Sequence, residues 1–175
     1  MSAEKPLNVN EIARLATRKL GHYEEYHLST KAELESLVAS FRELLMVVEA
    51  EVEIATGKLA HELYNHPQII DAFTQLSQKG VKITVIHSEV FPQHRGDPKT
   101  TEIAGLAKEG VLEMYSSSDE IVRDFVIIDQ SKVLSEDTPF LGKDFVLHTQ
   151  PFVRLVRIHQ GRFDSLKVNA QLDQI

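Results

Sequence analysis

The chain contains no cysteine and no tryptophan. Without cysteine there is no disulfide framework and no thiolate to hold a metal, so the fold has to rest on a hydrophobic core. No stretch approaches the roughly 20 apolar residues needed to span a bilayer. Residues 1–10 show neither the basic start nor the apolar run of a secretory signal. A soluble, cytoplasmic protein with no membrane partner is therefore the expectation. A surplus of positive charge is missing as well. With 19 Lys and Arg against 26 Asp and Glu, the formal net charge is -7, which disfavours a protein that coats nucleic acid by displacing counterions. Arg154, Arg157, Arg162 and Lys167 are read as the solvated face of one helix. Internal repeats and low-complexity tracts are absent.

What is present is enough chain, 175 residues, to bury one sizeable core. At the N-terminus Asn8 or Asn10 caps a short helix that Gly21 ends, giving a helical extension over residues 1–29 ahead of an α/β domain over 30–175. Tyr23 and Tyr26 are expected to staple that extension at a helix end. Thr30 and Glu33 fit a capping box. Leu34, Leu37, Phe41, Leu44 and Val48 follow at helical spacing, with Val38 and Leu45 widening the stripe. Such a stripe either packs on its own domain or forms a seam with a second copy; the homodimer reading takes it as the seam.

From Val52 the period changes to that of strands. Expected strands over 52–55 and 81–86 flank a helix with Asn65 as its cap, Pro67 in its first turn, Ile69, Ile70, Phe73 and Leu76 inward, and Gly80 at its end. Asp97-Pro98 opens another helix with Ile103, Leu106 and Ala107 inward; Gly110 ends it and residues 111–115 form the next strand. This βαβαβ order implies a parallel core sheet. Residues 121–128 and 132–134 are expected to pair as a hairpin across Asp129-Gln130-Ser131. A last helix begins near Thr149 and Pro151, with Phe152, Leu155, Val156, Phe163 and Leu166 buried and Gly161 as a break. Residues 135–150 carry no assignable pattern.

Four stretches in this order carry a family likeness: Glu53-Ile54-Ala55-Thr56-Gly57, then Gly80-Val81-Lys82-Ile83, then the run from Val122-Arg123-Asp124-Phe125 to Val126-Ile127-Ile128-Asp129, and last Phe163-x-x-Leu166-x-x-x-Ala170. Together they resemble one half of a phospholipase D-like fold. The resemblance implies a mixed, mostly parallel sheet flanked by helices. In active members it implies two halves facing each other, each contributing a His and a phosphate-binding Lys. On this chain the His position is Val122 and the Lys position is Asp124; only Asp129 matches, and Ser135-Glu136-Asp137-Thr138 replaces the family's Gly-Ser and Asn pattern. Valine cannot attack phosphorus. Exchanging a cation for an anion about 4 Å from a phosphate shifts the interaction by roughly 8 kcal/mol at an effective dielectric near 20. Alternation along a strand would put Val122 and Asp124 on one face.

A degenerate, non-catalytic domain acting as a regulatory ligand-sensing or protein-interaction module follows, with no catalytic residue and no cofactor. The alternative is a phosphodiesterase-like hydrolase in which His87 or Asp124 serves as acid or base. A generic flavodoxin-like or Rossmann-like domain is the rival fold, but no Gly-rich phosphate loop follows the first strand of the α/β domain. In open α/β sheets ligands sit beyond the carboxyl ends of the strands. That rule gathers Thr56, Gly57, His87, Ser88, Ser116, Asp124 and Glu136, with Asp137 nearby, as a vestigial pocket better suited to a cationic or polyol small molecule, or a divalent metal, than to a phosphate. The pairs His22 and His27, and His61 and His66, are each five residues apart, off the single helical face a metal site needs.

Overall fold

The computed structural model describes residues 23–59, 61–88, 101–136, 144–148 and 153–173. In chain order the elements are β1 (Tyr23–His27), α1 (Lys31–Met46), β2 (Glu51–Thr56), α2 (Pro67–Gln78), β3 (Lys82–Ser88), α3 (Glu102–Lys108) and β4 (Glu113–Ser117). They continue with β5 (Phe125–Ile128), β6 (Lys132–Glu136), β7 (Asp144–His148), α4 (Val153–Asn169) and β8 (Ala170–Leu172). All the strands join one sheet in the order β1-β7-β6-β5-β2-β3-β4-β8. The α/β class with flanking helices agrees with expectation, but the mostly parallel sheet is only partly right. The two crossovers make β2–β3 and β3–β4 parallel, whereas every other contact is antiparallel. The reason is the hairpin, which turns the chain back on itself, and the strands β7 and β1 that extend it.

Alternation along the strands divides the core in two. Val52 and Ile54 of β2, Ile83 and Val85 of β3, Met114 of β4, Val126 and Ile128 of β5, Leu134 of β6 and Phe145 of β7 face a core shared with α1, α2 and α3. Ala55, Ile86, Phe125, Ile127 and Val133 face the other way, against Leu155, Val156, Phe163 and Leu166 of α4. Helix α4 runs unbroken through Gly161, where a Cβ would meet nothing within 4 Å. Its buried stripe outweighs the helix cost of one exposed glycine, about 1 kcal/mol.

Local signals decide most boundaries. The Thr30–Glu33 capping box starts α1 as expected. Asn65 does not cap α2; His66 does, and Asn65 instead links the segment ahead of α2 to α3. Its amide donates to Leu59 O and His61 O and accepts the Ile103 N–H at 3.1 Å. Residues 121–124 are a lead-in, so the strand expected from residue 121 begins only at Phe125. Residues 23–27, assigned to the helical extension, form an edge strand paired with β7, so Tyr23 and Tyr26 lie in β1. The expected caps Asn8 and Asn10, Asp97-Pro98 and Phe152 lie outside the described residues.

The residues of the expected dimer seam are largely taken up within the chain itself. Leu37, Phe41 and Val48 are buried in the chain's own core, with Leu34 and Leu44 packed against it. A heptad-like stripe of this kind is satisfied equally by a partner or by the chain's own sheet and α2, and here the latter covers it. Phe41→Ala should therefore lower unfolding stability by about 3–5 kcal/mol, read by chemical denaturation; a loss of oligomer mass with unchanged monomer stability would restore the seam.

The hairpin turns through Asp129, Gln130 and Ser131; Asp129 and Gln130 are both in the left-handed region at φ 47° and 50°, as the two central residues of a type I′ turn are, and the Ser131 N–H closes it onto Ile128 O at 2.9 Å. The Asp129 carboxylate accepts the backbone N–H groups of Glu49, Ala50 and Glu51 at 3.0, 2.9 and 3.0 Å. Partial burial pushes this carboxyl up, but the three N–H donors and Lys132 together hold it below its ordinary value. Asp129→Ala should cost about 1–3 kcal/mol at neutral pH. Because the folded pKa is depressed, the contribution is present above the unfolded value of about 3.9 and fades as pH falls through the folded one. Equal denaturation midpoints for the two proteins at neutral pH would refute the clamp.

Candidate functional site

Register brings most of the expected residues into one crosswise row. Thr56 pairs with His87 and His87 with Ser116, while Glu136 pairs with Phe145. Asp124 completes the row: its carbonyl accepts the Glu136 N–H at 2.7 Å, and its side chain reaches Thr56. Residues paired across strands project to the same face, here the face covered by α1, α2 and α3. Ser88 is one residue beyond the row and pairs with Ser117; its hydroxyl donates to Asp119 O at 3.2 Å. Val122 is half-buried in the lead-in to β5, so the strand alternation expected to align it with Asp124 does not operate. Asp137 lies outside the described residues.

The row is closed by its own hydrogen bonds. The Thr56 hydroxyl donates to Asp124 Oδ2 at 2.6 Å and accepts the Lys58 N–H at 3.0 Å. Gly57 N–H donates to Asp124 Oδ1 at 2.9 Å, and the Asp124 N–H donates to Glu136 Oε2 at 3.1 Å. His87 Nε2 lies 2.7 Å from Asp173 Oδ2. A Cβ at residue 57 would meet Ile121 O at 2.6 Å, so glycine is what lets the lead-in come close enough for the Gly57–Asp124 bond. Asp124 and Glu136 are only 5% and 3% exposed.

Burial sets the electrostatics. It pushes the Asp124 carboxyl up to about 6, against the bonds from Thr56 and Gly57 and the charge of Lys58. That is the range in which a carboxylate serves as acid or base at neutral pH, yet both oxygens are already engaged. Tyr64, in the segment joining β2 to α2, is fully buried; desolvation and then the charges of Asp124 and Glu136 push its phenol well up. Its hydroxyl has no hydrogen-bond partner. Tyr64 and Asp173 are the residues of this site that the sequence did not reveal. The only hint was an aromatic residue inside a polar connecting segment. Among the described residues no group of three or more His, Cys, Asp or Glu could hold a metal ion, and no helix is long and apolar enough to cross a membrane. His61 Nδ1 accepts the Leu63 N–H, and His66 pairs with Glu35.

Solved structures share this architecture. Nuc from Salmonella typhimurium, described as a phospholipase D family member, superposes with a TM-score of 0.62 at 13% identity over 87% of this chain and 98% of that one. NucT from Helicobacter pylori gives 0.62 and 13% over 86% and 99%. TrmBL2, described as an archaeal chromatin protein with a novel mode of DNA binding, gives 0.55 and 16% over 93% of this chain and 61% of that one. At such identities the likeness establishes the fold, which is phospholipase D-like as the motifs implied. No protein-family model and no curated protein matches the chain.

The raised Asp124 value has a defined sign. The folded carboxyl holds its proton where the unfolded one has lost it, so Asp124 costs up to about 3 kcal/mol of stability as pH rises from about 4 through about 6. His148 and His159, which burial pushes down to about 4 and about 3, act oppositely, making the fold more stable as pH rises toward about 6.5. Comparing variants separates the two. Relative to wild type, Asp124→Asn should gain about 2–3 kcal/mol between pH ~4 and pH ~7 in denaturant titrations; a difference that does not change with pH would refute the assignment.

Proposed function

We propose that this chain is a non-catalytic phospholipase D-like domain that works as a regulatory module, answering to a small ligand or a protein partner. The observation that carries the reading is the closed row. At the position where the resemblance implies a phosphate-binding Lys stands Asp124, buried, with both oxygens bound by Thr56 and Gly57. A carboxylate there repels a phosphodiester, and Val122 offers no nucleophilic atom. The fold does not decide the matter, since it occurs both in a phospholipase D family member and in a chromatin protein.

The vestigial site of this reading comprises Thr56, Gly57, His87, Ser116, Asp124 and Glu136, with Tyr64 added. Two carboxylates beside an unsatisfied phenol favour a ligand bearing positive charge or hydroxyl groups over a phosphate. Pairing of two copies belongs to the same reading, with its contact away from the buried stripe of α1.

Turnover decides between this reading and the hydrolase. The full chain should release no product above background from bis(4-nitrophenyl) phosphate or single-stranded DNA, and Asp124→Asn and His87→Ala should leave that background unchanged. Turnover in wild type that both substitutions abolish would overturn the reading and install the hydrolase. Light scattering that finds only a 19.8 kDa species would remove the dimer.

A further inference from the structure

The opposite face of the sheet, under α4, carries a second polar cluster. Phe125 and Ser135 are register partners on β5 and β6, so their side chains stand side by side on this face. The His159 ring lies over Phe125 with centroids 4.8 Å apart, and the Arg162 guanidinium lies 5.2 Å from the same ring centre. Ser135 and His159 are 1% and 3% exposed. Even so, Ser135 Oγ and both His159 nitrogens have no hydrogen-bond partner. Arg162 is half-buried; burial and then the charge of Arg123 hold its guanidinium below the usual value. Burial comes first at His159 too, followed by Arg162, His148 and Arg123.

A cation and orphaned polar groups thus meet here with no carboxylate paired to the arginine. Among the described residues neither Arg123 nor Arg162 forms an ion pair with a carboxylate. Glu53 and Asp164, on the same face, both accept from Gln160 Nε2 at 2.9 and 3.2 Å. A cation–π contact accounts for Arg162 alone. It does not explain the silent hydroxyl and imidazole, each of which costs stability when buried without a partner.

We infer that Arg162, Ser135 and His159, joined by Arg123 from two residues ahead of Phe125, form an oxyanion site that takes a compact phosphate group, free or as a monoester. The guanidinium groups supply forked N–H donors suited to phosphate oxygens; the Ser135 hydroxyl and one His159 nitrogen donate as well. No bond is made or broken. This site does not rest on the proposed function, because it lies across the sheet from Asp124 and Glu136.

The test is a titration of the full chain with inorganic phosphate at fixed ionic strength, balanced with chloride, following the His159 imidazole signals by NMR. A saturable shift of those signals is expected. Arg123→Gln and Arg162→Gln should each weaken binding at least about tenfold, the scale of one charge-assisted hydrogen bond, while Arg154→Gln, exposed on the same helix, should not. Vesicles containing phosphatidate separate the sources. Vesicle binding displaced by free phosphate marks a lipid headgroup, and phosphate binding without vesicle binding marks a soluble ligand; either supports the site. His159 signals that do not move in wild type, or a shift undiminished in the double Arg variant, would overturn it. The wild-type titration decides even if a variant fails to fold.

Discussion

The pairing of β2 with β5 is the contact on which the rest of the sheet depends. It is the seam between a parallel half, β2-β3-β4, and an antiparallel half, β5-β6-β7-β1. Two aspartates pin it. At one end Asp129 accepts the N–H groups that open β2; at the other Asp124 accepts from Thr56 and Gly57, which close it. The four residues between them, Phe125–Ile128, are those that pair with β2, and they hold the two aspartates about 17 Å apart at strand rise. A slip of one residue would send every core side chain of β5 to the wrong face and break both carboxylate clamps together. Register here is therefore fixed by polar chemistry at the ends as well as by the apolar alternation between them.

This arrangement reassigns the one residue that matches the family pattern. The resemblance makes Asp129 the surviving member of a catalytic motif, whereas its carboxylate lies at the hairpin end of β5 and orders backbone. Asp124, which departs from the pattern, is the residue that lies in the row. Its environment fits the carboxylate that stands where the resemblance implies a lysine. A lysine there would leave the Thr56 hydroxyl and Gly57 N–H, both donors here, facing an ammonium; an aspartate satisfies both. The substitution and the closed hydrogen-bond set are one feature read at two levels.

Much of this was legible because it is local. The capping box of α1, the apolar face of α2 and the Asp129-Gln130 turn depend on residues within a few positions of one another. The row was legible too, since βαβ order alone places Thr56, His87 and Ser116 at the same ends of parallel strands. β1, β7 and β8 were not, because short strands acquire their identity from distant partners: Ala170–Leu172 is mostly exposed and is held by β4. Tyr64 and Asp173 escaped for the same reason, as each meets the site only through tertiary packing. The stripe on α1 is a different case. Its period was read correctly, but a period states that a face is covered and not by what.

Charge is sorted across the sheet. Asp124 and Glu136 face α1–α3, while Arg162 and His159 face α4, and Arg123 bears on the α4 groups although it adjoins Asp124 in sequence. The charge of Lys58 bears on Asp124. Phosphoryl transfer needs cations and acid–base groups converging on one phosphorus. A phosphate under α4 would be a sheet's thickness from Asp124 and Glu136, and one brought to the row would meet carboxylates first. The two clusters therefore cannot act as halves of one reaction centre within a single copy. What connects them is the lead-in itself: Ile121 seats against Gly57, Asp124 closes the row, and Arg123 between them serves the opposite face, so movement of this short segment changes both faces at once.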